Sequence, residues 1–201
     1  MSLLERIAEA DERGLAASAL ACLERCLPPV ADGGGESEPL RPLWASCEDG
    51  REWAARLTAA RAAMTDTDGT GVDETASPVR EMLLAAPSDW AAEPLREWAR
   101  TCSLLSLEFH RRFDMPVLGE AGGDAGEDPA GRLRRWSSGD TRCAGPLVAG
   151  ELRRQTEILE TLAEAADPAG GASGLRGALD RSTEGRRVLR AVMSRRARGR
   201  A

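Results

Sequence analysis

The chain has no lysine, no asparagine and no tyrosine, and it has one glutamine (Gln155) and one histidine (His110). Without lysine there is no Schiff base to a carbonyl substrate or a pyridoxal cofactor, and no glycine–lysine phosphate loop. With a single histidine, any Cys–His or Ser–His nucleophile pair must use His110. Phenylalanine (Phe109, Phe113) and isoleucine (Ile7, Ile158) occur twice each. Aromatic and β-branched residues favour strands, so this scarcity removes much of what a sheet is built from. No run approaches the roughly 18 consecutive apolar residues that cross a bilayer, so no membrane role is expected. The opening Met1-Ser2-Leu3-Leu4-Glu5-Arg6 lacks the basic and then apolar pattern of a signal peptide. Five dispersed cysteines (Cys22, Cys26, Cys47, Cys102, Cys143) are an odd number that no set of internal disulfides can use up. Both features point to a cytoplasmic protein.

What is present favours helix. The apolar fraction is 42%, enough to bury a core made of Leu, Ala, Val, Met and five tryptophans. Ala, Leu, Arg and Glu are strong helix formers. The expected fold is all-α, a single irregular bundle of five to six helices over residues 1–201. Polar loops are expected at about 30–48, 66–77 and 118–145, with a basic end at 181–201. All 27 basic residues are arginine. Because Lys, Asn, Tyr, Ile and Phe have AT-rich codons, their joint scarcity follows from genomic GC pressure, and the composition resembles that of actinobacterial proteins. Abundant arginine alone therefore does not signal anion recognition.

Ser2-Leu3-Leu4-Glu5 forms a capping-box pattern that starts a helix running to about Leu27, with Gly14 as the place where it breaks or bends. A second helix is expected over about 49–65, with Trp53, Leu57, Ala60 and Met64 on one face, and Ser77-Pro78 starts a short third one. From about Glu93 to Phe113, Leu95, Trp98, Cys102, Leu105 and Phe109 keep a three–four spacing. A short helix is expected at Arg132 to Trp136. Pro146 starts a helix carrying Val148, Leu152, Gln155, Leu159 and Leu162, and a last one runs over about 175–196. Leu57, Leu95, Trp98, Leu105, Phe109, Leu152, Leu159 and Leu162 are the expected core.

Few groups carry chemistry. Asp66 to Glu74 resembles a calcium loop, but placing Gly69 at the obligatory glycine puts Met64 and Thr75 where the first and bidentate ligands belong. Cys22 and Cys26 share a helix face and could join Cys102, Cys143 and His110 around a metal. The paired short spacings of zinc sites are missing, so buried thiols are the reading. His110 near a helix C-terminus suits the last carbonyls there. No Gly-x-Gly-x-x-Gly follows a strand pattern and no Glu-x-x-His occurs. No catalytic residue, cofactor or metal is therefore assigned.

Charge is divided along the chain. Residues 181–201 hold eight arginines against one acid (Glu184), a formal +7, while the preceding residues hold 19 arginines against 32 acids, a formal −13. Such a division suits charged partners, or docking of the end onto the body. The expected function is that of a non-enzymatic helical protein acting through contacts with another protein, as regulator, adaptor or subunit. Two alternatives stand beside it. The first is nucleic-acid association through the C-terminal arginines, each phosphate contact adding salt dependence. The second is an enzyme or small-ligand binder with a Trp-lined pocket. The residues expected to bind a partner or ligand are Arg186, Arg187, Arg190, Arg195, Arg196, Trp53 and Trp98.

Overall fold

Ser2 opens the first helix as its sequence implies: its hydroxyl accepts from the Glu5 amide at 3.3 Å, and the Glu5 carboxylate accepts from the Ser2 amide at 2.6 Å. The computed structural model describes residues 1–27, 40–65, 76–114, 128–142, 144–165 and 171–198. The expected single helix to Leu27 is two helices, α1 (Leu3–Glu9) and α2 (Glu12–Cys26). The break is chemical. Asp11 takes an extended conformation and accepts from the Gly14 amide at 2.7 Å, a side-chain cap that starts a fresh helix.

The chain continues through α3 (Arg41–Ser46), α4 (Trp53–Thr65), α5 (Ala76–Leu84), α6 (Ala92–Arg112), α7 (Pro129–Ser137), α8 (Pro146–Glu164) and α9 (Gly171–Arg198). The protein is all-α, with nine helices and no strand among the described residues. The count exceeds five or six because the first helix is split, α7 is a full element, and α3 lies inside the expected loop at 30–48. The last is six residues long, too short for a helical period to show, yet it buries Leu43 and Trp44.

From Gly14 to Cys26 every residue of α2 except Ser18 is buried. A helix with no polar face has to be central, and α2 packs against α3, α5, α6, α8 and α9. Among the expected core residues Leu57, Leu95, Trp98, Phe109, Leu152, Leu159 and Leu162 are buried, whereas Leu105 is only partly so. The inward face of α6 passes from Cys102 to Ser106 and then to Phe109 and His110, leaving Leu105 at its margin.

Two devices set the helices that build the site. Asp114, just past α6, accepts from the Leu147 and Val148 amides at 3.1 and 3.0 Å, capping α8 from another part of the chain. At the other end of α8, Arg13 of α2 donates to the Leu162 and Ala165 carbonyls at 3.2 and 2.8 Å. With both ends held, Glu151 in the second turn of α8 faces α2. Elsewhere, Gly50 has a φ of +74° and lies so close to the Trp90 ring that a Cβ would stand 2.5 Å from it.

Candidate functional site

Two charged residues sit side by side on the enclosed helix α2, and a buried charge has to be paired. Each turns to a different neighbour. The Arg25 side chain is wholly buried and meets Glu151 of α8 fork to fork: Nε donates to Oε2 at 2.8 Å and Nη2 donates to Oε1 at 2.6 Å. Glu151 Oε1 also accepts from Ser106 Oγ at 2.7 Å and from Gln155 Nε2 at 2.8 Å. Ser103 Oγ donates to Gln155 Oε1 at 2.6 Å, which fixes the amide's orientation. The Nδ1 of His110 is 2.8 Å from the Ser106 carbonyl, which can only accept, so the proton is on Nδ1. Its Nε2 is 3.5 Å from Glu151 Oε2.

Burial opposes ionisation of Glu151, but the field of Arg25, then that of His110, and the hydrogen bonds from Arg25 and Gln155 outweigh it, holding its pKa at about 2. Burial likewise opposes the charge on Arg25, and Glu151 outweighs it, leaving the guanidinium pKa raised. Burial pushes the Cys22 thiol up to about 12, and it drives Cys26, Cys47 and Cys102 upward as well. The thiolate is the form that attacks electrophiles and binds metal, so these cysteines act as small packing groups. No group of three or more His, Cys, Asp or Glu suited to a metal occurs among the described residues. Cys143 and the acidic stretch Asp66 to Glu74 lie outside them.

Glu24, with 3% of its side chain exposed, pairs with Arg186 Nη1 of α9. The preceding residue, Gly185, makes this possible. A Cβ there would stand 2.6 Å from Arg25 Cδ and 3.1 Å from Arg154 Cδ, so only glycine lets α9 close over Arg25. Further along, Arg196 donates to the Arg112 and Asp114 carbonyls at 3.2 and 2.9 Å, with its guanidinium carbon 6.0 Å from the centre of the Phe113 ring. These carbonyls end α6, where a cation is favoured. Arg190 is half-buried, and its pKa is lowered by burial first and then by Arg186. Arg187, Arg195 and Arg198 are exposed.

The residues expected to bind a partner are thus divided. Arg186 and Arg196 hold α9 to the body, while Arg187 and Arg195 face out. Trp53 and Trp98 are core: their indole N–H groups donate to the Pro87 and Met82 carbonyls, both at 2.8 Å, and the rings meet edge to face at 5.7 Å. His110, expected to suit the last carbonyls of its helix, bonds the Ser106 carbonyl one turn back and is buried beside Glu151.

Sequence reasoning missed the buried cluster, although two signals were present. Glu24 and Arg25 interrupt a segment that is otherwise apolar or small from Leu15 to Cys26. The only glutamine falls inside the α8 stripe, four residues after Glu151. No family model, no curated protein and no solved structure matches this chain.

Proposed function

We propose that this is a cytoplasmic, non-enzymatic helical protein that works by contacting another protein, as a regulator, adaptor or complex subunit. The surface we assign to that contact is the outward face of the C-terminal half of α9. One observation carries the reading: the C-terminal arginines are sorted by direction. The inward ones are spent on Glu24 and on the end of α6, while Arg187, Arg195 and Arg198 stay exposed on one face. Between them lie Ala191 and Val188, the latter 38% exposed. A small apolar strip rimmed by arginines suits a protein interface, where arginine is enriched.

The same face carries the exposed acids Asp180 and Glu184 one to two turns earlier. They oppose a polyanion lying along the helix, and this favours a protein partner over nucleic acid. The four cysteines among the described residues are free, buried thiols, which agrees with a reducing compartment.

A photo-crosslinking residue at Ala191, introduced into the intact protein in its own cells, tests this. The expected result is one crosslinked protein, lost when Arg187, Arg195 and Arg198 are all changed to Glu while the melting temperature is unchanged. Crosslinking to DNA or RNA, or a protein crosslink that survives the charge reversal, would overturn the proposal.

A further inference from the structure

One nitrogen of the buried cluster is left over. Arg25 Nε and Nη2 serve Glu151, and Nη2 also donates to Cys22 Sγ at 3.4 Å. Nη1 is buried and meets no hydrogen-bond acceptor among the described residues. Buried donors of this kind are nearly always satisfied by protein or by ordered water, and a charged one has the most to lose.

A cavity of about 10 Å³ lies against the same side chain between α1, α2, α6 and α8; half of its lining is apolar, and Ser18, Cys22, Arg25, Ser103 and Gln155 are the polar half. That volume is about the least that holds one water. It excludes an organic ligand, and the guanidinium repels a cation. The hydrogen-bond inventory fits as well. Ser18 Oγ donates to the Leu15 carbonyl at 2.9 Å and Ser103 Oγ donates to Gln155, so each hydroxyl keeps lone pairs that can accept. A water has two hydrogens to give and lone pairs to receive one from Arg25, and three bonds is the usual number for a buried water.

We infer that this cavity is a binding site for one structural water, which accepts from Arg25 Nη1 and donates to Ser18 Oγ and Ser103 Oγ. The water completes the coordination of Arg25 so that its other two nitrogens remain committed to Glu151. Ser18 and Ser103 are positioning residues for the ion pair.

High-resolution diffraction from the intact protein tests the site directly. One density peak is expected at about 2.7–3.2 Å from Arg25 Nη1. In solution, oxygen-17 relaxation dispersion counts long-lived waters, and the Ser18→Ala/Ser103→Ala variant is expected to hold one fewer than the unmodified protein. A cavity without density, an Nη1 bonded to a protein group instead, or an unchanged count in the variant would overturn the inference. The diffraction result on unmodified protein decides the matter even where the double variant fails to fold.

Discussion

Arg25 and Glu151 are valuable to the fold only together. Removing one carboxylate leaves a wholly buried guanidinium without its counterion, whereas replacing both partners by apolar side chains removes the need for either. We expect Glu151→Leu to cost about 3–5 kcal/mol, and Arg25→Met combined with Glu151→Leu to recover much of that, both read from urea midpoints. The pair also sets an acid limit. Glu151 titrates at about 2 when folded against an ordinary 4.5, so the unfolded chain takes up a proton first. Its stabilising contribution is therefore complete above about pH 4.5 and is lost as pH falls towards 2. The melting temperature of the unmodified protein should fall more steeply across that window than that of Glu151→Leu. On the inward face of α6, Phe109→Ala should cost about 3–5 kcal/mol; at its margin, Leu105→Ala should cost clearly less than the roughly 2–5 kcal/mol of a buried leucine, because Leu105 is only partly enclosed. Equal losses for the two would mean that the inward face of α6 passes through Leu105 after all.

Among the helices, those with a one-sided apolar stripe or a clear start signal could be read from the sequence, whereas α3, the break between α1 and α2 and the central place of α2 could not. The stripes of α4, α6 and α8 repeat over several turns, and their helices lie where the spacing places them. The central role of α2 escaped because a helix buried on every side has no period to detect, and the break before it rests on one aspartate. α3 was hidden by its length. The polar cluster was unread because its members come from α2, α6 and α8, and only the packing of those helices makes neighbours of Arg25, Ser106 and Glu151. Gly185 illustrates the same limit. Within a helix, glycine reads as a weakness of about 1 kcal/mol relative to alanine. Here Gly185→Ala should destabilise despite the better propensity, by about 1–3 kcal/mol, since its methyl would meet an Arg25 side chain that the bidentate pair holds in place. A higher melting temperature for that variant would show that Arg25 can move aside.

Across the whole molecule the basic end and the acidic body are parts of one packing scheme. α9 runs along α2 and α8, and its inner row of Gly174, Ala178, Ser182, Gly185 and Leu189 is buried. Small residues there bring the helix backbone close enough for Arg186 to reach Glu24. The +7 segment is thus divided between holding the fold and facing outward, a division that truncation can expose. Ending the chain after Ser194 removes Arg196 and its bonds to the end of α6 but keeps the inner row and the Arg186–Glu24 pair. A modest fall in melting temperature is expected. Ending it after Glu184 removes Gly185, Arg186 and Leu189, so that Glu24 loses its bond to Arg186 and Arg25 loses its cover. Uncovering one member of a buried charge pair is among the few changes that cost several kcal/mol, so this shorter chain should lose most of its cooperative thermal transition by circular dichroism. Similar melting curves for the two truncations would show that α9 beyond Glu184 contributes nothing to the core, and that the fold does not need the seven arginines that follow Glu184.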